Sequence, residues 1–347
     1  MTLPAGTRRR RATIYDVARA AGVSHQTVTR VLRGFEGIRP ETRERVQAAL
    51  GELGYRPNMA ARSLATNRSR RICALVYELL QVGPSKTIQG ASDAAREAGY
   101  VIDVITLDPT DDDAVQRAFD VMREEDLAGI LAFAPMDLLS ERIARADFSV
   151  PVLMETQTDL DAAAHHTSVS EQGLTQVVDH LVALGHEAFF HVSGPLTWWA
   201  SRNRLEAYKE ALARHGLASH GSFEGSWTPE SGYRAGRDLP LDTGVTAVVA
   251  ANDQMALGVL RALSERGLRL PEDMSVTGFD DIPESAYFQP PLTTVRLDYA
   301  RQGRAFMNRM LTLLGAGEVD DATPARAELV VRSSVAAPRR EPIVRSD

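Results

Sequence analysis

Residues 13–33 read TIYDVARAAGVSHQTVTRVLR. Two short amphipathic segments flank a glycine. Thr13 can cap the first, and Asp16, three residues on, completes a capping-box-like pair. Val17, Ala18 and Ala21 form an apolar face at helical spacing. Gly22 supplies the backbone freedom of a left-handed helix-ending residue. Ser24 caps a second helix whose inward face is Val28, Val31 and Leu32. His25, Gln26, Thr29, Arg30 and Arg33 point outward. This pattern spells a helix-turn-helix. Gln bonds adenine bidentately and Arg bonds guanine bidentately, so the outward face suits a major groove of double-stranded DNA. Thr13, Tyr15, Ser24 and Thr27 complete the candidate DNA-facing set of this motif.

Working outward, RPETRERVQAALGELGY (39–55) predicts a third helix, with Pro40 in its first turn and Val46, Ala49, Leu50 and Leu53 as its apolar stripe. The expected all-α head spans 13–57, preceded by a flexible basic arm over 1–12 that carries Arg8 to Arg11. Tyr55-Arg56-Pro57 breaks the chain. Asn58 to Ala65, NMAARSLA, then predicts a short helix capped by Asn58, in a hinge and linker over 58–70. Eight residues are too few for a stable isolated helix in water. This one needs a partner, such as a second copy of itself and DNA. Leu64 beside a basic segment has the character of a wedge for a minor groove, and Ala61 belongs to the same candidate contact surface.

Charge supports that reading. The 347 residues carry a formal net charge of −7, but residues 1–71 hold 15 Arg against 5 acidic residues, +10, leaving −17 on the rest. A basic head on an acidic body is expected when one end meets polyphosphate and the other does not. Cys73 is the only cysteine, which excludes an intramolecular disulfide and a thiolate metal cluster. No apolar run reaches membrane-spanning length, and no apolar segment follows the arginine cluster as a secretory signal requires. The expectation is a cytoplasmic protein with no membrane contact, no metal site and no cofactor.

From about Arg71 the pattern changes to strand–helix alternation. Strands are predicted near 72–77, 101–107, 130–133 and 152–154, with helices near 85–98, 112–124 and 138–146. A second set has a helix near 171–184, strands near 188–192, 246–250 and 275–279, and helices near 201–215, 229–237 and 253–266. A helix over 299–314 and a strand over 329–332 follow, expected to cross back between lobes. The fold class is therefore an all-α head plus a two-lobed α/β body with parallel sheets. The body is expected over 71–334, the first lobe about 71–168 with part of 298–327, the second about 169–297 with the C-terminal strand. A disordered tail is expected over 335–347.

Ligands of open parallel sheets bind where the strand carboxyl ends face a crevice. Asn252, Asp280 and Arg204 sit at such places, beside Trp198, Trp199 and Trp227. Carboxylate, amide and guanidinium groups with indole rings suit polyhydroxyl ligands. Asp253 reads as a helix cap and Asp281 as either a turn cap or a ligand contact.

The blocks IYDVARAAGVSHQTVTRVL, TRERVQAALGELGYRPNMAARSLA, DHLVALGH, ANDQMALGVLRALSERGLR and GFDD…PPLTTV resemble the LacI/GalR family of bacterial transcription regulators. The likeness extends from Thr13 to about Ser334. It implies a periplasmic-binding-protein-like body, a homodimer on pseudo-palindromic operator DNA, paired Asn58–Ala65 hinge helices, Leu64 in the central minor-groove step and a small effector between the lobes. Gln26 and Arg30 match base-reading positions. His25 stands where a lactose-responsive member has tyrosine. Arg204, Trp227, Asn252 and Asp280 match that member's sugar contacts, and Pro84 and Ser85 match its first-lobe pocket segment. Phe133 replaces its asparagine, Thr156 an aspartate, Ser168 a phenylalanine, Leu297 a glutamine and Tyr299 a phenylalanine. The resemblance implies a repressor released by a carbohydrate or glycoside effector, with Arg204 as the single evident pocket cation. A co-repressor-dependent regulator and a sugar-binding protein without a transcriptional role are the alternatives. An enzyme is disfavoured. There is no phosphate loop, nucleophile elbow or metal-spaced His/Cys set, and the adjacent His165 and His166 would point to opposite faces of a strand. The leucine-poor tail implies a dimer rather than a tetramer.

Overall fold

The computed structural model describes residues 12–32, 34–55, 69–134, 136–155, 169–317 and 326–339. It divides into two compact units, 1–69 and 70–347.

The first unit contains three helices, α1 (Ile14–Ala21), α2 (His25–Leu32) and α3 (Pro40–Glu52). Local chemistry sets their ends. The Thr13 side chain accepts from the Asp16 N–H while Asp16 returns a bond to the Thr13 N–H, so the capping box is complete. Gly22 ends α1 at φ 65°, where a Cβ would be strained. Thr27 N–H donates to Ser24 Oγ at 3.2 Å and starts α2. Val17, Ala18, Ala21, Val28, Val31, Val46 and Ala49 close the core, with Leu32 and Leu50 at its edge. Leu53 departs from the predicted stripe. It lies past the end of α3 and is 40% exposed.

The second unit opens with β1 (Arg71–Val76), α4 (Val82–Glu97), β2 (Val101–Thr106), α5 (Asp112–Glu124), β3 (Gly129–Phe133), α6 (Asp137–Arg145) and β4 (Val152–Glu155). The strands are parallel in the order β2-β1-β3-β4. There follow α7 (Val169–Ala183), β5 (Phe189–Ser193), α8 (Trp199–Arg214), β6 (Ser219–Glu224), α9 (Pro229–Asp238), β7 (Ala247–Ala250), α10 (Asp253–Glu265) and β8 (Ser275–Thr277). They form a second parallel sheet in the order β6-β5-β7-β8. Each lobe therefore places its strand carboxyl ends on one side. β9 (Thr294–Leu297) and β10 (Ala327–Val330) pair antiparallel against α7, while α11 (Tyr299–Leu313), which lies between them in sequence, packs on α4 of the first lobe. The chain thus crosses between lobes after β4, β9 and α11.

Sequence patterning missed β6 and β9. β6 is a polar edge strand, SHGSFE, with exposed residues on one face and half-buried ones on the other. β9 has four residues. Parallel-sheet cores are apolar on both faces, and each buried Val, Leu or Ile contributes about 1.5–3 kcal/mol. The first-lobe clusters centre on Leu75, Ile130 and Leu139 on one face and on Ile72, Leu131 and Met307 on the other. Where α4 crosses α11 the backbones touch. A Cβ on Gly90 would meet the Ala300 carbonyl oxygen at 1.8 Å, and one on Gly303 would meet that of Thr87 at 1.8 Å.

The expected disordered tail is corrected for residues 335–339. Val335 packs on the second-lobe core, Ala336 N–H donates to Ser275 Oγ at 3.1 Å, and Arg339 pairs with Asp273 at 2.7 Å. The carbonyl of Ala336 accepts from His186 Nε2 at 2.9 Å, so Nδ1 accepts from Thr246 Oγ1 at 2.8 Å. Burial pushes the His186 pKa down, consistent with a neutral ring.

Candidate functional site

In the head, Tyr15, Ser24, His25, Gln26 and Arg30 are exposed and Thr13, Thr27 and Thr29 half-buried, on the helix-turn-helix that the sequence predicts. Tyr15 and His25 rings lie 5.2 Å apart, joining the start of α1 to the start of α2. Thr29 Oγ1 donates back to the His25 carbonyl at 3.0 Å, so its hydroxyl proton is committed to the helix. The Arg30 guanidinium lies 5.7 Å above the ring of Phe35, a 53% exposed side chain that sequence reasoning passed over. Phe35 therefore restrains Arg30 by cation–π contact. Arg33, Asn58, Ala61 and Leu64 lie outside the described residues.

In the body, the second lobe gathers a polar cluster at its strand ends. Arg204, in the second turn of α8, donates from Nη2 to Asp280 Oδ1 at 3.1 Å and to the Tyr299 hydroxyl at 3.3 Å, and from Nη1 to the Ala251 carbonyl. Tyr299 donates to the same Asp280 oxygen at 2.5 Å. The guanidinium also lies 4.0 Å from the Phe279 ring centre and 5.5 Å from that of Trp227. Arg204, Asp280 and Tyr299 are all buried. Burial raises the Asp280 pKa against the opposing pull of Arg204. Burial opposes the Arg204 charge, yet Asp280 and Tyr299 hold its pKa above the ordinary value. The phenol of Tyr299 is pushed well up by burial and by Asp280, so it acts as a donor.

Among the described residues, three non-glycine residues adopt positive φ, namely Trp227 (65°), Asp280 (104°) and Asp281 (47°), all at this cluster. For a bulky residue such as Trp this costs of order 1–3 kcal/mol, and such strain concentrates at functional sites. Asn252 holds the strained Trp227 turn. Its Nδ2 donates to the Trp227 carbonyl at 3.0 Å, and its Oδ1 accepts from Met255 N–H at 2.9 Å. Among the described residues, Trp227 Nε1, Arg204 Nε and Ser201 Oγ are buried with no hydrogen-bond partner. Each such group costs about 1–3 kcal/mol until it is satisfied.

The first lobe reaches this cluster through α4. A Cβ on Gly83 would lie 3.3 Å from the Tyr299 ring, which places Pro84 and Ser85 on the turn facing it. Ser85 Oγ donates to the Val82 carbonyl at 3.2 Å and keeps its lone pairs. Trp198 is half-buried and touches both lobes. Its ring stands edge-to-face with Tyr77 at 4.8 Å and 6.1 Å from Trp227, and its backbone bridges to Met136. Trp199 Nε1 donates to the Ala134 carbonyl at 2.9 Å, and Arg202 pairs with Asp137 at 2.9 Å. Thr156 and Ser168 lie outside the described residues.

Several expectations need correction. The α10 cap is Asn252, not Asp253. Asp253 is wholly buried, accepting from Ile282 N–H at 2.8 Å and bonded to Thr294 at 2.5 Å, and burial pushes its pKa up to about 8. Asp281 is bound by Arg296 at 2.7 Å and Arg332 at 2.6 Å, which spends it on structure. Phe133 and Leu297 are core residues. Phe133 packs 5.1 Å from Phe306 inside the first lobe, and Leu297 sits in the second-lobe cluster. The expected effector contact at Phe133 is therefore a packing contact, because the β3 side chain faces α11. The exchange of phenylalanine for Tyr299 adds a hydroxyl that engages both Asp280 and Arg204. Arg204 is not the single cation either. Lys86, near the start of α4, acts electrostatically on Asp280. Sequence reasoning also missed Tyr77 and Ser201, whose importance depends on contacts between segments far apart in the chain.

The fold and cluster together define a two-lobed ligand-binding body joined to a helix-turn-helix head. Residues 13–58 match the family model for bacterial regulatory proteins of the lacI family, and residues 178–335 match a periplasmic binding protein-like domain. The lactose operon repressor of Escherichia coli (strain K12) is 33% identical over 332 residues, covering 95% of this chain and 92% of that protein. The crystal structure of the lac repressor dimer bound to operator and the anti-inducer ONPF aligns with a TM-score of 0.80 at 32% identity, covering 94% of this chain and 100% of that one. A complex of the transcriptional regulator CelR with cellobiose aligns with a TM-score of 0.64 at 27% identity, covering 93% and 100%. The chain belongs to the LacI family of bacterial regulatory proteins. It is a DNA-binding transcription regulator with a small-molecule-binding body, as the sequence resemblance implied.

Proposed function

We propose that this regulator is a cytoplasmic homodimeric repressor of a sugar-utilisation operon, released from pseudo-palindromic operator DNA when a carbohydrate or glycoside binds between its lobes. One observation carries the ligand class. At the strand ends, the buried Arg204–Asp280–Tyr299 cluster lies beside Trp227, with Trp227 Nε1–H and Arg204 Nε–H lacking acceptors among the described residues. Sugar hydroxyls supply acceptors and donors in fixed directions, and a pyranose face covers an indole ring. In this reading Arg204, Asp280 and Trp227 bind the sugar, with Trp198, Tyr299, Pro84, Ser85 and Thr156 around it. Asn252 positions the Trp227 turn and offers its remaining N–H. Gln26 and Arg30 read bases, with Thr13, Tyr15, Ser24, His25, Thr27, Thr29 and Arg33 beside them and Asn58, Ala61 and Leu64 acting from the hinge.

A binding role is favoured over catalysis because the strand-end carboxylates are committed. Asp280 is held by Arg204 and Tyr299, Asp281 by two arginines, and Asp253 by Thr294 and a backbone N–H. An effector shifts operator binding only by preferring one lobe arrangement. Mobility-shift titration of the full chain on its operator with candidate sugars is the test. Release by at least tenfold in affinity is expected, together with a steep loss of binding as salt rises. If every sugar that binds leaves operator affinity unchanged, the coupling is refuted. Tightening on sugar addition would assign co-repression instead.

A further inference from the structure

We propose that Phe35, in the turn after α2, is a positioning residue for DNA reading. Its ring fixes the Arg30 guanidinium and so sets how strictly the head discriminates the base pair that Arg30 contacts. The inference rests on the reading of Arg30 as a base contact and deepens it.

Local chemistry builds the turn. Gly34 takes φ 72°, a left-handed conformation that glycine reaches without strain. Its N–H donates to the Val31 carbonyl at 3.0 Å, and the Phe35 N–H donates to the Arg30 carbonyl at 3.0 Å. Those two bonds define a Schellman helix end, in which the residue after the left-handed glycine packs its side chain back on the last turn of the helix. The residue it meets here is Arg30, whose guanidinium lies 5.7 Å from the centre of the Phe35 ring. Arg43 of α3 holds the same turn from the other side, donating from Nη2 to the Phe35 carbonyl at 2.9 Å. Gly37 leaves room for the ring, since a Cβ there would lie 2.6 Å from Phe35 Cε1.

The ring is not spent on the core of the head. Phe35 is 53% exposed and lies outside the apolar cluster that joins the three helices. Arg30 is exposed on the outward face of α2, one turn beyond Gln26. An unrestrained arginine samples many rotamers, and ordering it on a base costs affinity. A carboxylate would order it too, but would take its N–H donors and set a negative charge against the phosphates. An aromatic ring attracts the cation through its face and adds no net charge. The in-plane donors of Arg30 then stay available to bond guanine O6 and N7 together. Phe35 thus acts on DNA through Arg30, by holding it ready before the groove arrives.

The test is a cycle of protein and base substitutions on the full-length chain. Selection from a randomised duplex library gives the preferred site, and repeating it with Arg30→Ala and with Gln26→Ala marks the base pair whose preference each side chain carries. Mobility-shift titration then measures discrimination at those two pairs. Phe35→Leu keeps apolar bulk and removes the π face. It should lower discrimination at the Arg30 pair by about 2- to 5-fold per half-site, the equilibrium equivalent of an exposed cation–π contact. Discrimination at the Gln26 pair should change less than twofold. Phe35→Tyr retains the π face and should keep the wild-type value. Gly37→Ala pushes the ring aside without removing it and should reproduce Phe35→Leu, which supplies a second reading should Phe35→Leu destabilise the head. A loss spread evenly over all base pairs, a loss at a pair other than that of Arg30, or unchanged discrimination in both Phe35→Leu and Gly37→Ala overturns the inference while leaving Arg30 as a base contact. If Arg30→Ala abolishes no base preference, the base-reading role of Arg30 falls with it.

Discussion

The two lobes share one strand order and differ in what they bury. In the second lobe and the segments crossing into it, Arg204, Asn252, Asp253, Asp280, Ser201 and both His186 and His191 are buried. In the first lobe, Thr87 is the one buried polar side chain among the described residues, and its hydroxyl is spent on the Gly83 carbonyl at 2.8 Å. The same scaffold thus supports a polar grip in one copy and an apolar interior in the other. Architecture places the crevice, and a few side chains at strand ends decide its chemistry.

The contrast predicts unequal responses to substitution. Arg204→Ala leaves the Asp280 carboxylate buried without its cation, and should cost about 3–5 kcal/mol in urea unfolding while abolishing the response to effector. Tyr299→Phe removes a hydroxyl that spans the lobes and bonds a charged group. A loss of about 1.5–3 kcal/mol is expected from the same titration. A loss near zero would mean that the second-lobe cluster stands without the first lobe's crossing helix. Helix contacts should instead respond alike in both lobes. Gly90→Ala at the α4–α11 crossing and Gly232→Ala at the α9–α10 crossing, where a Cβ would lie 2.0 Å from the Met255 carbonyl oxygen, should each cost about 1–3 kcal/mol or more. Acidity offers the finest probe. Asp253 holds its proton more tightly folded than unfolded, since burial lifts its pKa from the ordinary carboxylate range to about 8. Its contribution is therefore full below that range, declines as pH rises toward 8, and is level above it. The slope is at most about 1.4 kcal/mol per pH unit. Thermal melts from pH 4 to 9 should show the decline in the wild type and a flatter profile in Asp253→Asn.

What could be read in advance was what local chemistry controls. Thr13, Asp16, Gly22 and Ser24 act on neighbours within a few residues, so the ends of α1 and the start of α2 were legible to the residue. Strand–helix alternation was equally visible because buried parallel strands are apolar throughout. β6 escaped because an edge strand of Ser, His and Gly lacks that signature. At the site, Arg204, Asp280 and Trp227 do come together. Asn252 took the cap expected of Asp253 because either neighbour can cap a helix, and only the position of Thr294 and Ile282, far along the chain, draws Asp253 away into the interior. Phe133 could be matched to a pocket position by alignment. Its placement against Phe306 depends on α11 crossing back from the other lobe, which no local pattern reports. Lys86 went unnoticed for the same reason. Its relation to Asp280 exists only across the lobes.

That lysine has a practical consequence. The chain contains 39 basic residues besides histidine, yet only Lys86 and Lys209 are lysines. Lys209 lies on the outer surface of α8, 3.9 Å from Glu206. Reductive methylation with 13C-formaldehyde would therefore place only two side-chain reporters in each subunit, beyond the terminal amine. One sits beside the cluster that we propose holds the effector, and the other serves as an internal reference. An NMR titration following those two dimethylamine signals would watch the lobes respond to ligand in the intact, DNA-bound regulator, without a single engineered mutation.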